Sequence, residues 1–217
     1  MRCVTPPCFA LLRSQLILLE PLQRNAALDN LNQKPMLRVR LASLTSIAEY
    51  ASVSCAFRVR SQLDVDRLET DGLFAGRLVM PPFVKDYDAI FQNAPMDWSH
   101  QFDTSTWHMF SAFNAETRVG GAIIIPRAKD DLVRAAELWD FRVGPSARGR
   151  GVGRALFEAV IQWCREHDHD SLLIETQHNN VGACCFYRAN GCVVQSITRY
   201  AYPSIPDETR IRWRRDC

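Results

Sequence analysis

A glycine-rich loop between a strand pattern and a helix pattern is the part of this sequence that points most clearly to chemistry. Residues 148–153 read Arg-Gly-Arg-Gly-Val-Gly and follow the strand pattern at 137–143. Glycines allow a backbone to approach a ligand closely, and the first N–H groups of a helix lack internal partners and carry positive potential. We therefore expect the loop, with Arg148, Arg150 and Arg154, to bind a phosphate or pyrophosphate.

The glycine-rich loop can also be compared with two other known phosphate-binding loops. A P-loop ends in Gly-Lys-Ser or Gly-Lys-Thr, and this loop lacks that ending. The dinucleotide fingerprint G-x-G-x-x-G, counted from Gly149, places its third glycine where this chain has Arg154. Glu175, at the end of the following strand, could imitate the acidic ribose ligand of that fold, so a nicotinamide-dependent oxidoreductase stays an alternative. The unit lies late in the chain with few strand–helix repeats around it, which disfavours this alternative.

The hydrophobic patterns around the loop predict the elements that position it. Strands are predicted at 37–41, 77–80, 107–113, 119–125, 137–143, 171–176, 192–202 and 208–214. Helices are predicted at 44–53, from 151 to about 167, and at 180–189, the last with Asn179 or Asn180 as its N-cap and Gly191 as its stop. Pro81-Pro82 and Pro95 are interpreted as breaks in a mixed stretch from 56 to 97.

This order of elements predicts an α/β fold of mixed (α+β) type. The strand–helix–strand unit around the loop implies a parallel pair, whereas the hairpin at 107–125 implies antiparallel neighbours. We expect a single, mostly antiparallel sheet with a central parallel pair and helices on both faces, formed by residues 36–217. Residues 1–35 are expected to be an extension that the protein can do without, since Met36 opens the first strand.

Composition excludes several classes of function. The net charge is +2, from 26 basic and 24 acidic residues, and no basic stripe is present, so we expect no nucleic-acid partner. The apolar runs are too short to cross a bilayer, and no membrane partner is expected. The 8 cysteines have irregular spacing and form no C-x-x-C pair, which favours reduced thiols and a cytoplasmic location.

Two motifs together carry a resemblance to a known family. Arg148–Gly153 resembles motif A (R-x-x-G-x-G) of the GNAT superfamily of acetyl-CoA-dependent N-acetyltransferases, and Asn180–Gly191 resembles its motif B (N-x-x-A-x-x-F-Y-x-x-x-G). Residues 172–180 and 201–203 look like the streptothricin acetyltransferase branch. The resemblance is clear over 137–217 and weaker over 36–136. It implies a GNAT fold whose central parallel strands splay apart.

The resemblance also implies the cofactor and the residues that hold it. Acetyl-CoA is the expected co-substrate, with its pantetheine between the strands that end at Val143 and Gln177. A backbone N–H near Phe141 to Val143 would donate to the thioester carbonyl. The expected cofactor contacts are Phe141, Arg142, Val143, Arg148, Gly149, Arg150, Gly151, Val152, Gly153, Arg154, Asn180 and Tyr187.

Four side chains are candidates for the proton transfers of acyl transfer to an amine. Tyr187, which matches the motif B tyrosine, is the expected acid for the leaving thiolate; a core tyrosine is the alternative. Glu137, Asp140 and Glu175 are candidates for the base, and a salt bridge or a contact to a cationic substrate is the alternative for each. Glu137 and Asp140 are three apart, so they face opposite sides of a regular strand unless a bulge intervenes.

These expectations define one hypothesis and its alternatives. The expected reaction is acetyl transfer from acetyl-CoA to a primary amine of a small cationic molecule such as a streptothricin-like antibiotic, in a chain that can form a homodimer. Acetylation of protein lysines or N-termini is one alternative, and a CoA-binding module without turnover is another. No metal site is expected, because His167-Asp-His-Asp170 reads as a polar turn at a helix end. Trp98, Trp107 and Trp139 could wall the substrate cleft or belong to the core.

Overall fold

The computed structural model describes residues 37–90, 94–126 and 134–217. The strands in these ranges are β1 (Leu37–Ala42), β2 (Phe57–Leu63), β3 (Gly76–Lys85), β4 (His108–Asn114), β5 (Thr117–Pro126), β6 (Ala135–Val143), β7 (Ser171–Gln177), β8 (Val193–Thr198) and β9 (Arg210–Asp216). The α-helices are α1 (Ile47–Ala51), α2 (Val65–Asp71), α3 (Tyr87–Ile90), α4 (Trp98–Gln101), α5 (Val152–Glu166) and α6 (Val181–Ala189). Short 3-10 turns lie at Leu44–Ser46, Pro95–Asp97 and Pro145–Ala147. The predicted extension, residues 1–35, lies outside the described residues.

Seven strands form the main sheet, in the order β1-β4-β5-β6-β7-β9-β8. All neighbours in it are antiparallel except β6 and β7, which are parallel and connected through α5. The mixed, mostly antiparallel sheet with a central parallel pair is therefore confirmed. A doubly wound dinucleotide-binding sheet needs several adjacent parallel strands, which the described strands do not form.

The central parallel strands separate before they end. Their pairing stops at Leu138 and Ile174, whereas β6 continues to Val143 and β7 to Gln177. Each strand stays paired with its outer neighbour over this length, β6 with β5 and β7 with β9. The diverging inner edges therefore present backbone groups to which an extended ligand can bond.

Two adjacent glycines in β5 allow helices to pack closely on both faces of the sheet. A Cβ at Gly120 would lie 3.0 Å from Leu156 of α5, and a Cβ at Gly121 would overlap the ring of Tyr50 in α1. Helix α5 covers one face with a stripe of buried side chains that includes Leu156 and Val160, as its apolar periodicity predicts. A second cluster of buried side chains lies on the opposite face and consists of Tyr50, Trp98, Trp107, Met109 and Ile123.

A separate two-stranded sheet of β2 and β3 departs from the single sheet that the sequence predicts. Pro81-Pro82 does not break β3, contrary to our interpretation. The register passes from Val59 opposite Phe83 to Ser61 opposite Leu78, so the prolines lie in a bulge. A bulge in a strand with one described partner tolerates proline, because no ladder hydrogen bond is lost there. Helix α2 and strand β2 were not predicted at all.

None of the helices in the described residues is long and apolar enough to cross a bilayer.

Candidate active site

A cleft of about 1330 Å³ opens where β6 and β7 separate. Its walls come from both diverging strands, the glycine-rich loop, the first turn of α6, strand β2, and the segments around α3 and α4. Most of the predicted site residues thus line one cleft, although they come from distant parts of the chain; Arg150 and Val152 are not among the lining residues.

The glycine-rich loop presents the start of α5 to this cleft. Gly149 and Gly151 have φ values of 71° and 85°, a left-handed backbone that favours glycine. A Cβ at either position would meet nothing within 4 Å, so the space beside the loop is open. No side chain caps α5, whose first residue is Val152. Its first N–H groups therefore have no side-chain acceptor, and the pyrophosphate site stays a prediction.

The loop side chains differ in how they can contribute. The Arg148 Nε donates to the Val143 carbonyl at 2.9 Å, and Arg148 lines the cleft. Arg154 also lines it, with its Nε 2.8 Å from Glu158. Arg150 is exposed and is not among the lining residues. The Val152 side chain is buried in the core under the sheet, so its contribution to a ligand is restricted to its backbone N–H.

A bulge in β6 brings Glu137 and Asp140 to the same face of the sheet. The register with β5 shifts between Ile123, opposite Asp140, and Ile124, opposite Leu138, which leaves Trp139 as the extra residue. Two residues at a bulge oppose one on the partner strand, so the alternation of faces is reset. Both carboxylates line the cleft.

Asp140 is held in a buried ion-pair network. The Arg142 guanidinium donates to both oxygens of Asp140 at 2.8 Å and to both oxygens of Asp88 at 3.0 Å. The Tyr50 hydroxyl donates to Asp140 at 2.5 Å. Burial by itself would lower the pKa of Arg142, but its hydrogen bonds and the charge of Asp140 raise that pKa above its usual value. The guanidinium of Arg142 is therefore engaged with these carboxylates, which leaves its backbone as the group available to a cofactor.

Tyr187 and its neighbour Phe186 both line the cleft. Tyr187 is 4% exposed and lies against Phe141, Phe157 and Trp213. Burial, above all other causes, raises the pKa of Tyr187 well above its usual value. The hydroxyl therefore stays protonated near neutral pH, the state that an acid must have before it gives up its proton.

Glu175 lies one residue beyond the last paired residue of β7, Ile174, and lines the cleft. Its Oε1 accepts a hydrogen bond of 2.8 Å from the hydroxyl of Tyr202. Its Oε2 is 3.6 Å from Arg212 and 3.8 Å from Arg210. Glu175 is thus an acidic group surrounded by one hydroxyl donor and two cations.

Asn180 is the N-cap of α6, one of the two residues predicted for that place. Its Oδ1 accepts a hydrogen bond of 3.2 Å from the N–H of Ala183. Asn180 also lines the cleft. The cap therefore fixes the start of the helix that carries Tyr187.

The remaining residues that line the cleft were predicted from the sequence only in part. Trp98 and Trp139 line the cleft, as one interpretation of the tryptophans expected, whereas Trp107 is a buried residue that is not among the lining residues. Tyr87, Asp88 and Phe102 were missed. They come from residues 56–102, where short helices and an irregular sheet gave no periodic pattern.

One group of possible metal ligands lies close together among the described residues: Cys55, Asp86 and Asp88. Asp88 is engaged with Arg142, and the Cys55 thiol donates to Asp86 at 3.3 Å. Burial raises the pKa of Cys55 to about 12, which disfavours the thiolate that metals bind. In the 167–170 tract, His167 and His169 stack on Trp163.

Comparisons with known proteins agree with this geometry. The model of the acetyltransferase (GNAT) family matches residues 76–192. Streptothricin acetyltransferase A of Bacillus subtilis (strain 168) is 33% identical over 76 residues, which are 34% of this chain and 44% of that protein. Streptothricin acetyltransferase of Escherichia coli is 26% identical over 170 residues, 77% of this chain and 89% of that protein. The chain thus matches less than half the length of the first relative.

Solved structures show the same fold. Nourseothricin acetyltransferase superimposes with a TM-score of 0.66 at 20% identity, over 83% of this chain and 98% of that one. A candidate streptothricin acetyltransferase of Bacillus anthracis str. Ames, solved in complex with acetyl coenzyme A, gives a TM-score of 0.67 at 21% identity, over 84% and 99%. The family model covers more than half of the chain and includes both motifs of the cleft, and the protein therefore belongs to the GNAT acetyltransferase family.

Proposed function

We propose that this protein transfers the acetyl group of acetyl-CoA to a primary amine of a small cationic molecule, and that a streptothricin-like antibiotic is the first acceptor to test. The observation that carries the proposal is the joint opening of two features on one cleft. These are the uncapped, glycine-rich start of α5 and the diverging edges of β6 and β7. Together they fit a ligand with a pyrophosphate at one end and an extended amide chain at the other.

The residues around the cleft fit acetyl-CoA in three steps. The N–H groups that begin α5 take the pyrophosphate, where Gly149 and Gly151 leave room. The free edge of β6, from Phe141 to Val143, hydrogen-bonds the pantetheine amides. Phe141 and Phe186 stack at 5.6 Å between ring centres and form an apolar wall beside this path.

Acetyl-CoA supplies an activated acetyl thioester, and the chain supplies donors and proton carriers around it. A backbone N–H of β6 donates to the thioester oxygen as negative charge develops there. Tyr187, buried and protonated, donates its proton to the leaving sulfur. One of the cleft carboxylates Glu137, Asp140 and Glu175 takes a proton from the amine, because the amine is mostly charged at neutral pH.

The preference for a small cationic acceptor rests on the acceptor face of the cleft. Glu137 and Glu175 place negative charge where β6 and β7 separate, and Trp139 and Phe102 form an aromatic wall with ring centres 5.1 Å apart. Carboxylates and aromatic faces both attract ammonium groups. The similarity to streptothricin acetyltransferases of Bacillus subtilis and Escherichia coli supports the same class of acceptor.

Acetylation of a protein N-terminus is a second candidate function. It is favoured by the shared fold with the ribosomal-protein-S18-alanine N-acetyltransferase of Escherichia coli, whose TM-score is 0.55 at 18% identity. A CoA-binding module without turnover is the remaining alternative. Such a module would bind acetyl-CoA in the same cleft, and its affinity would stay the same when Tyr187 is changed.

The test is release of CoA from acetyl-CoA by the purified protein with a panel of amines. The panel contains streptothricin, nourseothricin, aminoglycosides, polyamines and peptides with free N-termini or lysines. Release with streptothricin or another small polyamine supports the proposal, and release with peptides alone supports the protein-directed alternative. Acetyl-CoA binding, measured by calorimetry, without release by any amine contradicts an acetyltransferase acting on these acceptors.

The cellular location and the oligomeric state of the protein are further proposals. All six described cysteines, Cys55, Cys164, Cys184, Cys185, Cys192 and Cys217, are free thiols. This supports a reducing compartment, the cytoplasm. A homodimer stays a prediction.

A further inference from the structure

Five polar side chains of the cleft form one continuous hydrogen-bond chain from the start of α6 to Glu175. In order, they are Asn180, Tyr87, Gln177, Tyr202 and Glu175. All five line the cleft. They come from α3, from β7, from the cap of α6 and from the loop before β9, so tertiary folding alone brings them together.

The hydrogen bonds of this chain all run in one direction, toward the carboxylate. The Asn180 Oδ1 is occupied by the Ala183 N–H, so its Nδ2 faces Tyr87 and donates to that hydroxyl at 3.4 Å. The Tyr87 hydroxyl donates to Gln177 Oε1, and Gln177 Nε2 donates to the Tyr202 hydroxyl at 2.8 Å. The Tyr202 hydroxyl, already accepting from Gln177, donates to Glu175 at 2.8 Å. Aligned bonds of this kind polarise and strengthen one another.

Both hydroxyls of the chain remain protonated over the working pH range. Burial, more than any other cause, raises the pKa of Tyr87 and of Tyr202, and the charge of Glu175 raises that of Tyr202 further. Neither tyrosine is therefore the acid or the base itself. Each holds a proton that it can donate to its neighbour, and the last acceptor in the line is Glu175.

The position of Glu175 distinguishes it from Asp140. Both oxygens of Asp140 already accept hydrogen bonds, from Arg142 and from Tyr50. Glu175 stands at the point where β6 and β7 separate, and its Oε2 is outside hydrogen-bond distance of the facing cations Arg210 and Arg212. One oxygen of Glu175 is thus fixed by Tyr202, and the other has two cations of β9 near it without a direct hydrogen bond.

From this geometry we propose that Glu175 takes the proton of the acceptor amine and that Tyr202 is the positioning residue that holds Glu175 for this step. The inference rests on the proposed function and deepens it. Gln177 and Tyr87 are positioning residues one and two steps further back, which hold Tyr202 in the orientation that donates to Glu175.

The proton balance of the step is complete. The bound ammonium gives one proton to Glu175, and the freed nitrogen lone pair forms the N–C bond to the acetyl carbon while the C–S bond breaks. Tyr187 gives its proton to the sulfur, and the proton left on the new amide nitrogen passes to the Tyr187 oxygen. Glu175 then releases its proton to solvent. One ammonium and one thioester thus become one amide, one thiol and one proton.

The test compares Tyr202→Phe with Tyr200→Phe as the matched control. Both changes remove one phenolic oxygen, two residues apart, and Tyr200 is 79% exposed. We expect kcat of Tyr202→Phe to fall about 10- to 100-fold, and the acid limb of its kcat/KM profile to move to higher pH, because the ionised carboxylate loses a donor. Affinity for acetyl-CoA, measured by calorimetry, should equal that of the control.

A second variant separates positioning from a structural role. Glu175→Gln keeps an oxygen that accepts from Tyr202 but removes the charge, and we expect a larger loss of kcat, about 100- to 1000-fold. Adding Tyr202→Phe to Glu175→Gln should change kcat by less than about twofold, since the two residues act as one unit. Glu166→Gln, an exposed acid at the end of α5, is the control for loss of a carboxylate.

Three results would overturn the proposal. They are unchanged kcat in Tyr202→Phe, fully additive losses in the double variant, and retained turnover in Glu175→Gln with loss in Glu137→Gln. The last result would assign the proton transfer to Glu137. The unmodified protein is assayed with every amine before any variant is made. If it shows no turnover, that result contradicts the proposed function and not the role of Glu175.

Discussion

Asp140 and Arg142 lie two residues apart on one strand and bind each other through two parallel hydrogen bonds of 2.8 Å. Neighbours of this kind share a face of the strand, and Asp88 of α3 binds the same guanidinium through two hydrogen bonds of 3.0 Å. The network connects β6 with α3, the helix that carries Tyr87. Its integrity is thus a condition for the shape of the active site.

Arg142→Met should destabilise the protein strongly. The change leaves Asp88 and Asp140 close together without their buried counter-ion, which typically costs about 3–5 kcal/mol. The measurement is the free energy of unfolding in urea. Arg134→Met is the control, because Arg134 forms a similar two-bond pair with Asp170 at the surface, where such pairs contribute about 0–1 kcal/mol. Equal losses in both variants would contradict the structural role of Arg142.

Gly151→Leu should reduce affinity for acetyl-CoA at least tenfold. Its side chain would project into the open space that the pyrophosphate needs, and its N–H would be displaced by the unfavourable left-handed backbone. Gly72→Leu is the matched control, since Gly72 has φ of 65°, open space around it and a place outside the cleft lining. Each change costs about 1–2 kcal/mol of backbone strain. If calorimetry gave the same affinity for both variants, the loop would not be the pyrophosphate site.

Tyr187→Phe should lower kcat by about 100-fold or more while acetyl-CoA binds as before. The ring and its contacts remain, and the proton for the leaving sulfur is lost. Single-turnover measurements with acetyl-CoA and the best amine check this, with Tyr200→Phe as the control. A normal rate for Tyr187→Phe would return Tyr187 to the role of a core residue.

Stability should fall as the pH drops below about 6.5, the usual value for histidine. Burial foremost lowers the pKa of His178, whose Nδ1 accepts from the Thr209 N–H at 3.1 Å, and burial likewise lowers that of His108. The unfolded chain therefore binds protons that the folded chain refuses, so stability is complete above pH 6.5 and is lost toward the folded-state pKa. Each histidine adds a slope of at most about 1.4 kcal/mol per pH unit.

Unfolding in urea between pH 5 and 8 measures this slope. His178→Asn is the informative variant, because an asparagine oxygen can accept the Thr209 N–H without titrating. We expect a flatter dependence in that variant, and an unchanged slope would assign the effect to other groups.

The sequence alone determined the elements that carry the predicted cofactor residues. The loop at 148–153 and the cap at Asn180 are read locally, because glycines, a preceding strand and a following helix specify their own geometry within about ten residues. The paired strands, α5 and the GNAT resemblance followed from the same short-range periodicity. Every element predicted after residue 100 is present, with ends displaced by a few residues.

Tertiary structure alone decided the acceptor half. The bulge at Trp139, which places Glu137 and Asp140 on one face, arises from pairing with β5 and has no local signature. Tyr87 and Tyr202 meet Gln177 across separations of 90 and 25 residues. Such contacts depend on how distant segments pack, and packing is set by side-chain shapes summed over the whole core. A pattern read along the chain therefore locates the glycine-rich loop but not the hydrogen bonds that join Tyr202 to Gln177 and Glu175.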